Sequence, residues 1–124
     1  DGQATITILS SSISGNNITN RGAGGIHTQN NSTVTISNSI INTNIGAGAG
    51  DGGGIFNDLN STLTIVSSSV SGNTSGRDGG GIFSDNSSIV NISYAIINGN
   101  NTGISSNSGG GVFNSKRPKP LEFE

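Results

Sequence analysis

Few side chains in this 124-residue sequence have the types that do chemistry, and their spacing is regular. The single histidine, His27, follows Gly24-Gly25-Ile26, and phenylalanine fills the same place in Gly53-Gly54-Ile55-Phe56, Gly80-Gly81-Ile82-Phe83 and Gly110-Gly111-Val112-Phe113. An imidazole with a carboxylate or second ligand beside it can act as acid, base or metal ligand. Recurrence at a ring position instead makes His27 a member of a structural stack. Asp51 and Asp78 each stand four residues before an anchor, and Asp58 and Asp85 three residues after one. Paired carboxylates would serve glycoside hydrolysis or Ca²⁺ binding. The plainer reading is that they sit in turns, where Asp bonds local backbone.

Other motifs fail on inspection. In "GAGAGDGGG" (46–54), placing Asp51 on the Asp of the Ca²⁺-binding nonapeptide puts Ala49 and Ala47 where glycine is required. No Lys-Ser/Thr follows to make a phosphate loop. Two ranks of threonine are more regular: Thr5 and Thr7, Thr33 and Thr35, Thr62 and Thr64, then Ile89 and Asn91. On adjacent strands these would form an array ~6.6 Å by ~4.8 Å, similar to the Thr-x-Thr face of ice-binding solenoids, although threonine is also a good exposed strand residue. The ring positions would stack on sugars if exposed and pack as structure if folded back. Eight Asn-x-Ser/Thr sequons, at Asn17, Asn30, Asn31, Asn60, Asn73, Asn86, Asn91 and Asn100, matter only in a glycosylating host.

The elements that position these residues come from a repeat. The anchors Ile26, Ile55, Ile82 and Val112 fall 29, 27 and 30 residues apart. Eight and ten residues after the first three come Val34 and Ile36, Leu63 and Ile65, Val90 and Ile92; Ile41, Val70 and Ile97 follow at fifteen. Asn44, Asn73 and Asn100 stand at eighteen, and Ile6, Ile8, Ile13 and Asn16 continue the pattern backwards. Strict alternation in Thr62-Leu63-Thr64-Ile65 marks a strand buried on one face, and helical periodicity is missing throughout. Three short strands per repeat, in about four coils of 27–30 residues, predict an all-β parallel solenoid. The isolated Ile, Leu and Val then stack into one column with Val34, Leu63 and Val90 inside. At ~1.5–3 kcal/mol per buried aliphatic side chain, no coil would hold alone. Asn16, Asn44, Asn73 and Asn100 are expected to form a hydrogen-bonded ladder at a turn. Glycine pairs fall where a corner is tight or a side chain has no room.

Composition sets the outer bounds. Glycine occurs 21 times, only 29% of residues are hydrophobic and 10% are charged. The net charge is −2, and Lys116, Arg117 and Lys119 cluster at the end, which leaves residues 1–115 acidic. That balance argues against nucleic acid or an anionic membrane as partner. Without cysteine there is no disulfide framework. No apolar run approaches the ~18–20 residues of a membrane-spanning helix. The start at Asp1, without a signal-like segment, reads as a mature product or an excised fragment. Residues 1–115 form the repeat segment. Residues 116–124, "KRPKPLEFE", break the pattern, since Pro118 and Pro120 would interrupt pairing on a central strand. They read as an exit segment, a cap or an expression remnant.

The stretch "GGGIFNDLNSTLTIVSSSVSGN" resembles the repeats of right-handed parallel β-helix, or pectin-lyase-like, proteins. It is similar above all to Gly-Gly-rich repeats of bacterial surface proteins, autotransporter passengers and polymorphic outer-membrane proteins. The Phe-x-x-Asn of the last group occurs once, as Phe83-Ser84-Asp85-Asn86. The resemblance runs from residue 3 to about 115 and implies the right hand of the helix. It specifies architecture more than function, because such folds host lyases, hydrolases, adhesins and tailspikes. With so little catalytic material, the expected role is a non-enzymatic rigid spacer or adhesion stalk of an extracellular or cell-surface protein, with no cofactor or metal. Partners would be further coils of a parent chain or other copies at the solenoid ends, with carbohydrate or a cell surface as a further possibility. An ice-binding face at Thr5, Thr7, Thr33, Thr35, Thr62 and Thr64 is the first alternative, and a partial or inactive polysaccharide-processing helix the second. The pectin-cleaving members use clustered carboxylates beside Arg or Lys, and no residue-for-residue match to them is present. A terminal coil exposes unpaired backbone and half of its apolar column, so both ends are expected to be covered.

Overall fold

A computed structural model describes residues 3–85, 87–103 and 109–115. The tail at 116–124 and the sequon residue Asn86 lie outside the described residues. The chain winds through four coils. Coil one holds β1 (Thr5–Leu9), β2 (Ser12–Ser14), β3 (Asn17–Ile18) and β4 (Ile26–Thr28). Coil two holds β5 (Thr33–Ser37), β6 (Ile40–Asn42), β7 (Ile45–Gly46) and β8 (Ile55–Asn57). Coil three holds β9 (Thr62–Val66), β10 (Ser69–Ser71), β11 (Thr74–Ser75) and β12 (Ile82–Ser84). Coil four holds β13 (Ile89–Ser93), β14 (Ile96–Asn98), β15 (Asn101–Thr102) and β16 (Val112–Asn114). Corresponding strands pair in parallel into four sheets, ordered β1-β5-β9-β13, β2-β6-β10-β14, β3-β7-β11-β15 and β4-β8-β12-β16.

Each coil therefore carries one strand beyond the three that periodicity marks. The additional strands, from β3 to β15, have two residues each and are largely polar. Two residues are too few for alternation to register, and pairing with the neighbouring coils defines them instead.

Left-handed corners recur from coil to coil, and two of them occupy the same place in all four coils. Ser10, Asn38, Ser67 and Tyr94 take φ between 46° and 50° after the five-residue strands. Gly15, Thr43, Gly72 and Gly99 take positive φ after the next strand. Three of the latter four are glycine, the residue that adopts this conformation without a Cβ penalty. The second glycine of the first three anchor pairs, Gly25, Gly54 and Gly81, answers a different demand. A Cβ on Gly54 would lie 2.7 Å from the Gly81 carbonyl oxygen and 3.0 Å from the Asn73 side-chain amide.

Between the sheets runs the apolar column. Val34, Ile36, Ile41, Ile55, Leu63, Ile65, Val70 and Ile82 are fully buried, with Ile8, Ile13, Ile26, Val90, Ala95 and Ile97 packed against them. Val34 pairs with Leu63 and Leu63 with Val90, so like residues stack on like.

Candidate functional site

Three surfaces of this solenoid bring polar side chains together. The first is the outward face of the β1-β5-β9-β13 sheet. Register places Thr5, Thr33, Thr62 and Ile89 in one rank, and Thr7, Thr35, Thr64 and Asn91 in the next. Thr5, Thr7 and Thr33 are exposed, while Thr35, Thr62 and Thr64 are half-buried. The six threonines thus form one regular patch that the fourth coil ends with Ile89, 54% exposed.

The second is internal. Asn44 and Asn73 are fully buried at the corner after the second strand of their coils. Asn16 donates from its backbone N and Nδ2 to Asn44 Oδ1, at 3.1 and 3.0 Å. Asn44 donates in the same way to Asn73 Oδ1, and Asn73 to Asn100 Oδ1, all at 3.0 Å. Each Nδ2 also reaches back one coil, from Asn44 to the Ile13 carbonyl, Asn73 to Ile41 and Asn100 to Val70. Serine ladders, which the sequence reading missed, do similar work. Ser11 N donates to Ser39 Oγ and Ser39 N to Ser68 Oγ. Ser32 N donates to Ser61 Oγ and Ser61 N to Ser88 Oγ. The signal was available: these serines stand two residues before the first inward apolar residue of a strand, but serine is too common here for its spacing to stand out.

The third surface is a cleft of about 240 Å³ lined by Arg21, His27, Asp51, Phe56, Asp58, Arg77 and Asp85. It lies outside the sheet that carries the ring positions. His27 stacks on Phe56 with centroids 4.6 Å apart and planes 9° from parallel; Phe56 meets Phe83 edge-on at 5.2 Å; Phe83 stacks on Phe113 at 5.5 Å. Phe83 is buried, Phe56 half-buried and His27 exposed, so the rings act as packing at the middle of the stack and as surface at its first coil. Arg77 pairs with buried Asp51 at 3.7 Å. Asp58 Oδ1 accepts from the Leu59 amide at 2.8 Å, the local backbone bond that makes Asp a turn residue. Asp51, Asp58 and Asp85 thus share one cleft, and Asp78 is not among its lining residues. Both arginines stand five residues before an anchor, Arg21 before Ile26 and Arg77 before Ile82, an offset that could have placed them on one face.

Charge in the cleft is nearly balanced, with two guanidiniums against three carboxylates. Although one side of His27 is open to solvent, partial burial of its imidazole lowers its pKa, and the charge of Asp58 opposes this in part. His27 is therefore neutral at pH 7. Its folded pKa lies below the unfolded value of about 6.5, so between those two values the unfolded chain binds a proton that the folded chain refuses. The stability it supports is complete above pH 6.5 and declines as pH falls through that window. Thermal melts from pH 7.5 to pH 5 should show a steeper loss for the wild type than for His27→Phe. Parallel curves would mean that His27 is not held neutral by the fold. Among the described residues, no group of three or more His, Cys, Asp or Glu side chains could hold a metal ion.

A parallel solenoid whose polar side chains form ladders along its axis is the class that these features define. The chain belongs to the right-handed beta helix family, whose model matches residues 2–116. No curated protein and no solved structure matches it.

Proposed function

We propose that this chain is a non-enzymatic structural or adhesive segment of an extracellular or cell-surface protein, a rigid β-solenoid spacer whose ends meet further coils of a parent chain or other copies. The observation that carries the reading is where the polar chemistry has gone. Most of the buried asparagine and serine side chains hydrogen-bond along the solenoid axis, which makes the stack stiff and leaves them no part in turnover. The carboxylates most suited to catalysis are engaged locally, Asp51 with Arg77 and Asp58 with its own turn. The two surfaces that remain, His27 at the cleft and the outward threonines of the β1-β5-β9-β13 sheet, suit contact with carbohydrate or a cell surface.

A second reading, an ice-binding face, is favoured by the in-register threonine ranks of coils one to three. One panel separates the possibilities. The purified chain is incubated with polygalacturonate and other acidic polysaccharides and assayed for unsaturated products and new reducing ends. The same sample is tested for thermal hysteresis, and antibody against the chain is applied to intact source cells. The expected result is surface labelling with no product and no hysteresis. Product release would replace the spacer reading with the polysaccharide-processing one. Hysteresis lost on Thr35→Lys would replace it with the ice-binding one.

A further inference from the structure

We propose that the groove at the corner between the β1-β5-β9-β13 and β2-β6-β10-β14 sheets binds a neutral glycan, with Tyr94 as its stacking platform. This adds a ligand site to the spacer reading, apart from the cleft and the threonine ranks. One residue is out of place at that corner. After each five-residue strand the chain turns with φ near 50°, at Ser10, Asn38, Ser67 and Tyr94. Serine and asparagine fill the first three places, and a bulky side chain is a rare choice in this conformation. Tyr94 stands there nonetheless and is 91% exposed, so it packs against little of the fold. A large ring held in solvent by a disfavoured backbone conformation points to a ligand that covers it.

The surroundings of the ring form a groove of about 430 Å³, within the ~300–1,000 Å³ of small-ligand sites. Register sets its walls, since Ile40 pairs with Ser69 and Ser69 with Ile96. Two isoleucines, 48% and 62% exposed, therefore stand ~10 Å apart with a serine notch between them. Asn38 and Ser67 continue the rank of Tyr94 along the axis. Their side chains and the Tyr94 hydroxyl bond to no other described residue. The floor is closed, because Ser39 and Ser68 are buried and their hydroxyls donate to the Ser37 and Val66 carbonyls. An aromatic face, two aliphatic walls, an amide and two hydroxyls are thus open to a ligand. The groove runs along the flank of coils two to four, so coils added at either end would lengthen it and leave it open.

Charge and backbone decide the class of ligand. Among the described residues, no Asp, Glu, Lys, Arg or His lines the groove. An ionic ligand, a polyuronate included, would find no counter-charge there, and a nucleic acid no basic partner for its phosphates. An extended peptide gains affinity by pairing with a free backbone edge. Here the backbone is already committed along the axis: Asn38 N donates to the Val66 carbonyl, Ser67 N to Ser93, Ser69 N to Ser39 and Ile96 N to Ser68. A neutral pyranose fits what remains. Its C–H face packs on the tyrosine ring, which has an apolar body and a polar tip. Its hydroxyls, each both donor and acceptor, meet the Asn38 amide and the Ser67 hydroxyl. Removing water from Tyr94, Ile40 and Ile96 drives the contact.

The chain has one tyrosine and no tryptophan, so its intrinsic fluorescence reports on Tyr94 alone. Titration with cellotetraose and with the chitin tetrasaccharide, two neutral β-linked probes, should change that emission saturably for at least one of them. Tetragalacturonate should leave it unchanged. Calorimetry on the responding probe then compares variants. Tyr94→Ala should weaken binding about tenfold or more, and Tyr94→Phe about threefold or less, because the ring and not the hydroxyl is the platform. Ser69→Ile fills the notch and should also weaken binding about tenfold or more, with the fluorophore still in place. Circular-dichroism melts establish that each variant is folded, and Ile96→Ser replaces Ser69→Ile if the latter is not. No saturable change with either neutral probe at millimolar concentration, a response to tetragalacturonate alone, or binding that survives Tyr94→Ala overturns the proposal. Surface labelling of intact cells does not depend on that outcome, so its loss would remove the glycan site and leave the spacer reading standing.

Discussion

Replacing Leu63 by alanine should destabilise the solenoid by about 2–5 kcal/mol, the range for emptying a large aliphatic site in a packed core. Leu63 is fully buried and lies between Val34 and Val90 of the adjacent coils. A cavity there has little means of collapsing. Inter-coil spacing is fixed at ~4.8 Å by four sheets at once, so neither neighbour can move into the gap without breaking backbone pairing. The adjacent Thr64, half-buried on the outward face, should cost under about 1 kcal/mol on replacement by alanine, because little packing is lost. Urea or guanidinium titrations of the two variants measure the difference. Equal shifts in midpoint would contradict the burial of one residue and the outward position of the other.

That contrast also explains how much of the fold is legible in the sequence. Thr62-Leu63-Thr64-Ile65 announces its own inward face because alternation is a local signal, and the repeat of Gly-Gly-Ile-Phe fixes which strands stack. Val34, Leu63 and Val90 followed from those two facts. The two-residue strands did not, since Thr74-Ser75 carries no pattern that a periodicity argument can detect and is defined only by its neighbours Ile45-Gly46 and Asn101-Thr102. The cleft was only half legible. Asp51, Asp58 and Asp85 were visible as repeated positions, but their meeting with Arg21, His27 and Arg77 depends on how the segments before the glycine pairs and the turns after β8 and β12 lie beside one another. Such paths are set by turns of irregular composition, "GAGAGDG" in one coil and "SGRDG" in the next. Function is less legible still, because in a solenoid the repeat encodes stacking, while a ligand would read the departures from it, such as His27 for phenylalanine or Ile89 for threonine.

The asparagine ladder tests whether stacking depends on hydrogen bonds as much as on the apolar column. Asn73 is fully buried, and each of its polar side-chain atoms is engaged. Its replacement by alanine removes the acceptor of Asn44 N and Nδ2, the donor to the Ile41 carbonyl and a donor to Asn100 Oδ1 at once. Each buried group left without a partner costs about 1–3 kcal/mol. The loss should reach at least about 3 kcal/mol, among the larger single-site effects. Asn16 makes the same forward bonds from an exposed position at the first coil, where water can replace them, so Asn16→Ala should cost under about 1 kcal/mol. The double variant Asn44→Ala/Asn73→Ala provides the decisive comparison, because the two side chains share a bond and would otherwise strand one another's partners. Its measured cost should fall short of the sum of the singles, as expected for residues of one network. Additive costs, or an Asn73→Ala variant no weaker than Asn16→Ala, would show that the column alone holds the coils together.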